Sequence, residues 1–492
     1  MSQKQESTPT PRPAARISIF QLAILTTVTV ASLRSLPTMA TFGMGSILMY
    51  VIPAVFFLVP TALVAAELAT GWHGGVYVWV REAFGNRWGF QAVWLQWIQN
   101  VVWYPVQLAF IGAAFAYMVV DPGLATSGLY TAIIILVFYW LATLLTLRGG
   151  NLFARVGSWA GLVGTIIPGV ILIILGALWL STGNRSQVPL EAGDMIPPFA
   201  GIASIVLIVS NFLGFAGMEV NAVHAQDMKK PGKEYPRAIL LATVLILIVF
   251  VLPTIAVALV VTPDDLGLTT GIVVAFQNYF AHWGLGWAAP VLAGMVAIGA
   301  LSSVIAWVAG PSRGLLNAAR TGLLPPLLQR RNAAGVQVNI LIMQGMIVTL
   351  LAAIFVVLPN VSAAFFTLVD MAAALYLIMY MLMFAAAIKL RRSRPGVVRS
   401  YRVPALTAVA SIGFIASLLA FLLGFVPPSG LAGIPTSVYP FLMGVVIVAL
   451  GVPPLLFFRF RKAKWDQRTD SEKAQSEQDM LANPLPASPG AS

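Results

Sequence analysis

Three ionisable side chains stand inside otherwise apolar stretches of this 492-residue chain: Arg34, Glu219 and Asp370. If those stretches cross a membrane, each charge costs about 2.5–3.5 kcal/mol on insertion scales and needs a reason to be there. Arg34 presents a planar guanidinium that pairs with a carboxylate, either of a substrate or of Asp370 or Glu219. Glu219 follows Gly217-Met218 and suits a proton-sensing carboxylate, or an acceptor for backbone N–H groups. Asp370, six residues before Tyr376, suits an ammonium contact, a helix-end cap or a partner for Arg34. Ser302 and Ser303 offer hydroxyl ligands for a cation or amine. Tyr376 and Tyr380 are four apart and share a helix face, and with Trp307 they could close a cavity while keeping polar tips. Glu67 reads as a structural anchor for the amphipathic segment 74–84, and Trp94, Trp97 and Trp103 as interface or packing residues.

Other chemistry is scarce. There is no cysteine, hence no disulfide, iron–sulfur or thiolate zinc site, and His73, His224 and His282 have no ligand spacing. No HExxH, nucleophile elbow, Walker loop or intramembrane aspartate pair occurs, so no enzyme, cofactor or metal is expected.

The elements that must position these residues follow from composition. The chain is 59% hydrophobic and only 9% charged, against roughly 25% charged in a soluble protein. Uncharged runs recur from Ile17 to Phe458, each near the roughly 20 residues a helix needs to cross hydrocarbon. They are continuous rather than alternating, which argues against a β-barrel. The reading is an all-α polytopic membrane protein with twelve spans, near 17–43, 46–69, 88–119, 127–147, 153–181, 200–226, 236–261, 284–318, 337–358, 363–388, 404–426 and 436–459. A polar N-terminal tail (1–16) precedes the transmembrane domain (17–460), and a tail at 461–492 is expected to be disordered.

The net charge of +12 is a topology signal rather than a nucleic-acid footprint. Alternate loops hold Arg81 and Arg87, Arg148 and Arg155, Lys229 to Arg237, Arg313 to Arg331, and Lys389 to Arg402. The opposite loops hold Asp121, Glu191, Asp194, Asp264 and Asp265, with Arg185 their only cation. Lys and Arg stay on the cytoplasmic side, so both termini are expected in the cytoplasm of a cell whose plasma (inner) membrane holds the protein. The bilayer is a partner and nucleic acid is not.

Two spans carry breaks. The first reads Val30-Ala31-Ser32-Leu33-Arg34-Ser35-Leu36-Pro37-Thr38, and its ladder is expected to open just before Pro37. The sixth reads Ser210-Asn211-Phe212-Leu213-Gly214-Phe215-Ala216-Gly217-Met218-Glu219, with two glycines where unwinding costs least. Open backbone at membrane depth survives only against a polar cavity or inside protein. Breaks five spans apart fit inverted repeats, near 17–181 and 200–388, with spans 11 and 12 (404–459) left for packing or homodimerisation. The expected substrate site takes Arg34, Ser35 and Leu36 from one break and Gly214, Phe215, Ala216 and Gly217 from the other, where half-helix ends face ligand.

Several motifs resemble the amino acid–polyamine–organocation transporter superfamily, and within it the bacterial glutamate/GABA antiporters. They are Ala65-Ala66-Glu67-Leu68-Ala69-Thr70 with Gly74-Gly75-Val76-Tyr77-Val78-Trp79-Val80; Gly217-Met218-Glu219 with Pro231-Gly232-Lys233-Glu234-Tyr235-Pro236; and Trp307 with Gly310-Pro311-Ser312-Arg313-Gly314 and Leu323-Leu324-Pro325. The resemblance implies a twelve-helix five-plus-five fold and amino-acid exchange without ATP hydrolysis. It also implies a coupling or gating role for Glu219 and substrate contacts from Trp307, Tyr376 and Tyr380. The chain departs from that branch at Arg34 and Ser35, where the exchangers carry a tyrosine and an acidic residue. Ser303 stands where they carry an acid, and Asp370 has no counterpart. The tail lacks the basic, histidine-containing stretch that plugs the acid-resistance exchangers. The expected activity is amino-acid antiport, glutamate/GABA-like or related, by alternating access. The alternative is a sodium- or proton-coupled symporter using Ser302 and Ser303.

Overall fold

The computed structural model describes residues 17–149, 162–197, 199, 201–358, 360–427, 435–466 and 468. The expected N-terminal tail and the first turns of span 5 lie outside them. Among the described residues, ten helices are long and apolar enough to cross a membrane, and the bent pair Ile19–Val30 with Leu33–Ala40 makes an eleventh span. The sixth in chain order, Val206–Asn221, is apolar but short because it is broken. The chain is therefore an all-helical polytopic membrane protein, with spans 1 and 6 interrupted.

The break in span 1 lies upstream of its expected place. Ala31 leaves the helix at ψ 124° and Ser32 is extended at φ −145°, ψ 130°. Pro37 sits in the first turn of the second segment, where its missing N–H removes no ladder bond. The proline therefore starts a half-helix rather than ending one. In span 6, Val209–Gly214 gives way to a turn at Phe215 and Ala216, and Gly217 takes φ +103° before Met218–Asn221. Only glycine adopts that conformation without strain.

Spans 3 (Asn86–Met118) and 10 (Val361–Ser393) form the middle of the bundle. Their most apolar windows are 78% and 72% buried, against 28% and 22% for spans 11 and 12, so the last two spans stand at the periphery. Spans 5 and 8 meet at Gly164 and Gly299, where a Cβ on either residue would collide with the other's backbone. Small residues permit this close approach when there is no hydrophobic force between helices in lipid.

At the end bearing the basic loops, Glu67 pairs with both Nε and Nη2 of Arg391 and accepts the Val403 N–H at 2.7 Å, with Arg399 at 3.5 Å. Glu67 thus anchors the segment after span 10, not the short helix Gly75–Phe84. Glu82 anchors that helix instead, through Arg394 at 3.5 Å, while also holding its own neighbour Arg81 at 2.9 Å. Burial, reinforced by Glu67, pushes the Tyr401 phenol in this cluster up to about 12, so it stays protonated at neutral pH. The expected disorder of 461–492 does not reach its start: Gln329 Nε2 donates to the Trp465 carbonyl at 2.8 Å, and Thr321 pairs with Asp466. From 469 onward the tail lies outside the described residues.

Candidate functional site

The two breaks face one another across a cavity of about 90 Å³, room for several water molecules. Span 1 contributes its whole interruption, Thr29 through Arg34, and span 6 contributes Leu213, Gly214 and Ala216. Ser303 and Trp307 of span 8 and Tyr376 of span 10 complete the expected part of the wall. Span 3 supplies a part that was not expected. Gln99, Asn100, Trp103, Gln107 and Phe110 line the cavity, and their spacing of three to four residues marks one helix face. Trp103 is therefore a wall residue, while Trp94 and Trp97 pack, donating to the Leu450 carbonyl and to Gln344.

Arg34 is 2% exposed and lines this cavity. Its guanidinium makes no hydrogen bond or ion pair to any described residue, and its Nε is buried without a partner. The guanidinium lies over the ring of Phe365, whose centroid is 5.8 Å from Cζ, a cation–π contact, and near the Tyr50 phenol. Neither acid that could have neutralised it does so. Asp370 is fully buried, its Oδ2 accepting from Tyr439 of span 12 at 2.6 Å and its Oδ1 unpartnered. It lies in the helix interior rather than at a cap, a place taken by Asn360, and it does not line the cavity. Asp370 ties span 10 to span 12.

Glu219 is engaged elsewhere. Its Oε1 accepts from Tyr376 at 2.6 Å and from Gln96 at 3.2 Å, and its Oε2 accepts from Tyr380 at 2.6 Å. The phenol distances fall in the range of O–H···O⁻ bonds. Tyr380 Oη also accepts the Gly217 N–H at 2.8 Å. One phenol therefore clamps the left-handed turn of span 6 to the carboxylate two residues later. Behind this cluster, toward the basic end, a second cavity of about 190 Å³ is lined by Glu219, Gln96, Tyr77, Gly314 and Asn317. The Tyr376–Glu219–Tyr380–Gln96 group thus forms a wall between a central cavity and a vestibule. The Trp307 ring lies against this wall, 3.7 Å from where a Gly217 Cβ would be.

Several expected contacts fall behind the wall rather than on it. Ser35 and Leu36 are buried but do not line the cavity, and Phe215 packs on Tyr50 and Phe250 instead. Gly217 and Tyr380 act through the clamp. Ser302 donates to the Gly299 carbonyl at 2.7 Å, so of the serine pair only Ser303 lines the cavity.

The amino acid permease family model matches residues 17–450. An uncharacterized transporter of Legionella pneumophila is 38% identical over 464 residues, covering 93% of this chain and 98% of the relative. A glutamate/gamma-aminobutyrate antiporter of Lactococcus lactis is 30% identical over 485 residues, 96% of each. A probable agmatine/putrescine antiporter of the same species is 24% identical over 395 residues, 79% of this chain and 82% of the relative. With its interrupted spans, central cavity and span-wide match, the chain belongs to the amino acid permease family of membrane transporters, and is not an enzyme.

Proposed function

We propose that the protein is an antiporter that exchanges an anionic amino acid for a related amino acid or its decarboxylated amine by alternating access. The observation that carries this reading is Arg34, a buried cation in the wall of the central cavity with no acidic partner and no side-chain hydrogen bond among the described residues. An uncompensated buried charge is costly, and a substrate carboxylate relieves that cost. The same cation disfavours a dication such as putrescine, so the glutamate/gamma-aminobutyrate relative supports this substrate class better than the agmatine/putrescine one. Ammonium would meet the carbonyls left open at Val30 and Ala31, where the first half-helix ends, and the amides of Gln99 and Asn100. Trp307 and Tyr376 would cover the substrate. Glu219 would release its phenols when the wall opens toward the vestibule, which we take as cytoplasmic from the basic loops.

A counterflow screen of amino acids and their decarboxylated amines in proteoliposomes, at two pH values, tests the reading. Loaded vesicles should take up labelled substrate far faster than empty ones; equal rates would remove exchange. Arg34→Ala should weaken dicarboxylate amino acids by at least tenfold, since a charge-assisted hydrogen bond contributes about 1.5–3 kcal/mol. An equal loss for neutral amino acids would sink the role given to Arg34.

A further inference from the structure

The basic residues that follow span 10 are not equivalent. Arg391 pairs with Glu67, Arg394 with Glu82, Arg399 lies 3.5 Å from Glu67 and over the ring of Trp72, and Arg402 donates to the Pro395 carbonyl. Lys389 and Arg392 have no acidic partner among the described residues. Lys389 Nζ lies 4.8 Å from the ring centroid of Phe84, and Arg392 is exposed without a hydrogen bond. These two cations rim a groove of about 510 Å³, whose other lining residues are Phe84, Ala385, Ile388 and Ser393.

The groove has two zones in a definite order. Ala385, Ile388/Lys389 and Arg392 recur at helical spacing on one face of span 10, apolar residues first and charges a turn later. Span 10 has 33 residues, about 50 Å at 1.5 Å per residue, and hydrocarbon is about 30 Å thick. With Arg391 and Arg392 in its last turn, it is the C-terminal end that stands at headgroup level. Ala385 and Ile388, one to two turns earlier, meet the headgroup-proximal part of the acyl chains. Phe84, from the amphipathic helix Gly75–Phe84, closes the other side. A phosphate needs cations free of competing carboxylates, and an acyl chain needs the apolar wall beside them.

We propose that this groove is a binding site for an anionic phospholipid of the leaflet at the basic end, with Lys389 and Arg392 on its phosphate and Phe84, Ala385 and Ile388 against its proximal acyl chain. The site lies outside the central cavity and does not rest on the substrate assignment. It couples lipid composition to the same turn of span 10 whose Arg391 and Arg394 hold the basic end together.

The test uses the full chain purified from vesicles of phosphatidylcholine and phosphatidylglycerol in equal parts, with retained lipid read by native mass spectrometry. The wild type should retain phosphatidylglycerol selectively. Lys389→Gln with Arg392→Gln should lower that selectivity about thirtyfold, which is roughly 2 kcal/mol for two cations at an anionic surface. Lys389→Arg with Arg392→Lys should restore it. Lys229→Gln with Lys230→Gln, the same charge change in another basic loop, should leave it unchanged. Excess inorganic phosphate should not displace the lipid; displacement would show a free-anion site instead. Retained selectivity in the double glutamine variant, or equal loss in the loop control, overturns the proposal. Photo-crosslinking of the wild type with a diazirine phosphatidylglycerol gives a readout independent of any variant. Label on Phe84 and 385–393 supports the site, and label spread around the belt refutes it.

Discussion

Tyr380 and Tyr376 look interchangeable in the sequence, four residues apart on one face, yet the structure gives them unequal work. Tyr376 donates one hydrogen bond, to Glu219 Oε1, which keeps Gln96 as a second donor. Tyr380 donates to Oε2, which has no other donor among the described residues, and accepts the N–H of Gly217. Tyr376→Phe therefore severs one bond and leaves its oxygen served. Tyr380→Phe severs two and strands both a carboxylate oxygen and a buried N–H. Taking about 1.5 kcal/mol for a bond to a charged group and about 1.5 kcal/mol for an unsatisfied buried N–H, Tyr380→Phe weakens the wall by about 3 kcal/mol and Tyr376→Phe by about half that. At about 1.4 kcal/mol per tenfold, the population with the wall open rises about a hundredfold in the first variant and about tenfold in the second.

The chain's lack of cysteine makes the assay direct. A single Ala216→Cys reports the central cavity and a single Asn317→Cys reports the vestibule. An impermeant maleimide is added from the basic end of oriented vesicles. Asn317→Cys should label in every background. Ala216→Cys should label slowly on the wild-type background, faster with Tyr376→Phe and fastest with Tyr380→Phe. If the two phenylalanine variants label alike, or Tyr376→Phe labels faster, the bridging bonds of Tyr380 do not hold the wall.

The remaining predictions concern the acids that brace the bundle. Glu67→Gln leaves Arg391 and Arg399 without a carboxylate; because Arg391 is partly exposed, the loss is set at the low end for a broken buried pair, about 3 kcal/mol. Thermal unfolding in detergent should shift clearly downward, and an unshifted midpoint would show the cluster to be inert. Tyr439→Phe leaves both Asp370 oxygens unbonded and should cost about 1–3 kcal/mol of stability without changing which substrates exchange. A changed substrate order would return Asp370 to the transport site.

Much of the architecture was legible because membrane helices obey one dominant constraint. Apolar length set the spans, and Gly217 and Pro37 marked interruptions that lipid-exposed backbone cannot tolerate. The position of the first break was less legible, because proline both ends helices and starts them, and only the path of the chain decides which. The span 3 wall could have been found: Gln96, Gln99, Asn100, Trp103 and Gln107 put amides on one face of a helix too apolar to need them. The two serines differ because neighbours on a helix point about 100° apart, and Ser302 turns back onto the Gly299 carbonyl while Ser303 lines the cavity. Asp370 gave no local signal, because its partner Tyr439 lies two spans later. Glu67 was misassigned for the same reason, its partners being more than 300 residues away.

The distribution of partners also bears on the proposed exchange. Glu67, Glu82 and Glu219 have donors or cations, and Asp370 has a phenol. Arg34, of these buried groups, is the one left to the cavity. To reverse its access, a carrier must pass through a state closed on both sides, where water is scarce and an uncompensated cation is dearest. With an anionic substrate aboard, that state contains a pair; empty, it contains a bare guanidinium. Each 1.36 kcal/mol of that difference slows return of the empty carrier tenfold relative to the loaded one. On the proposed exchange function, an arginine without an acidic partner among the described residues, at the break of span 1, would make one substrate's departure wait on another's arrival.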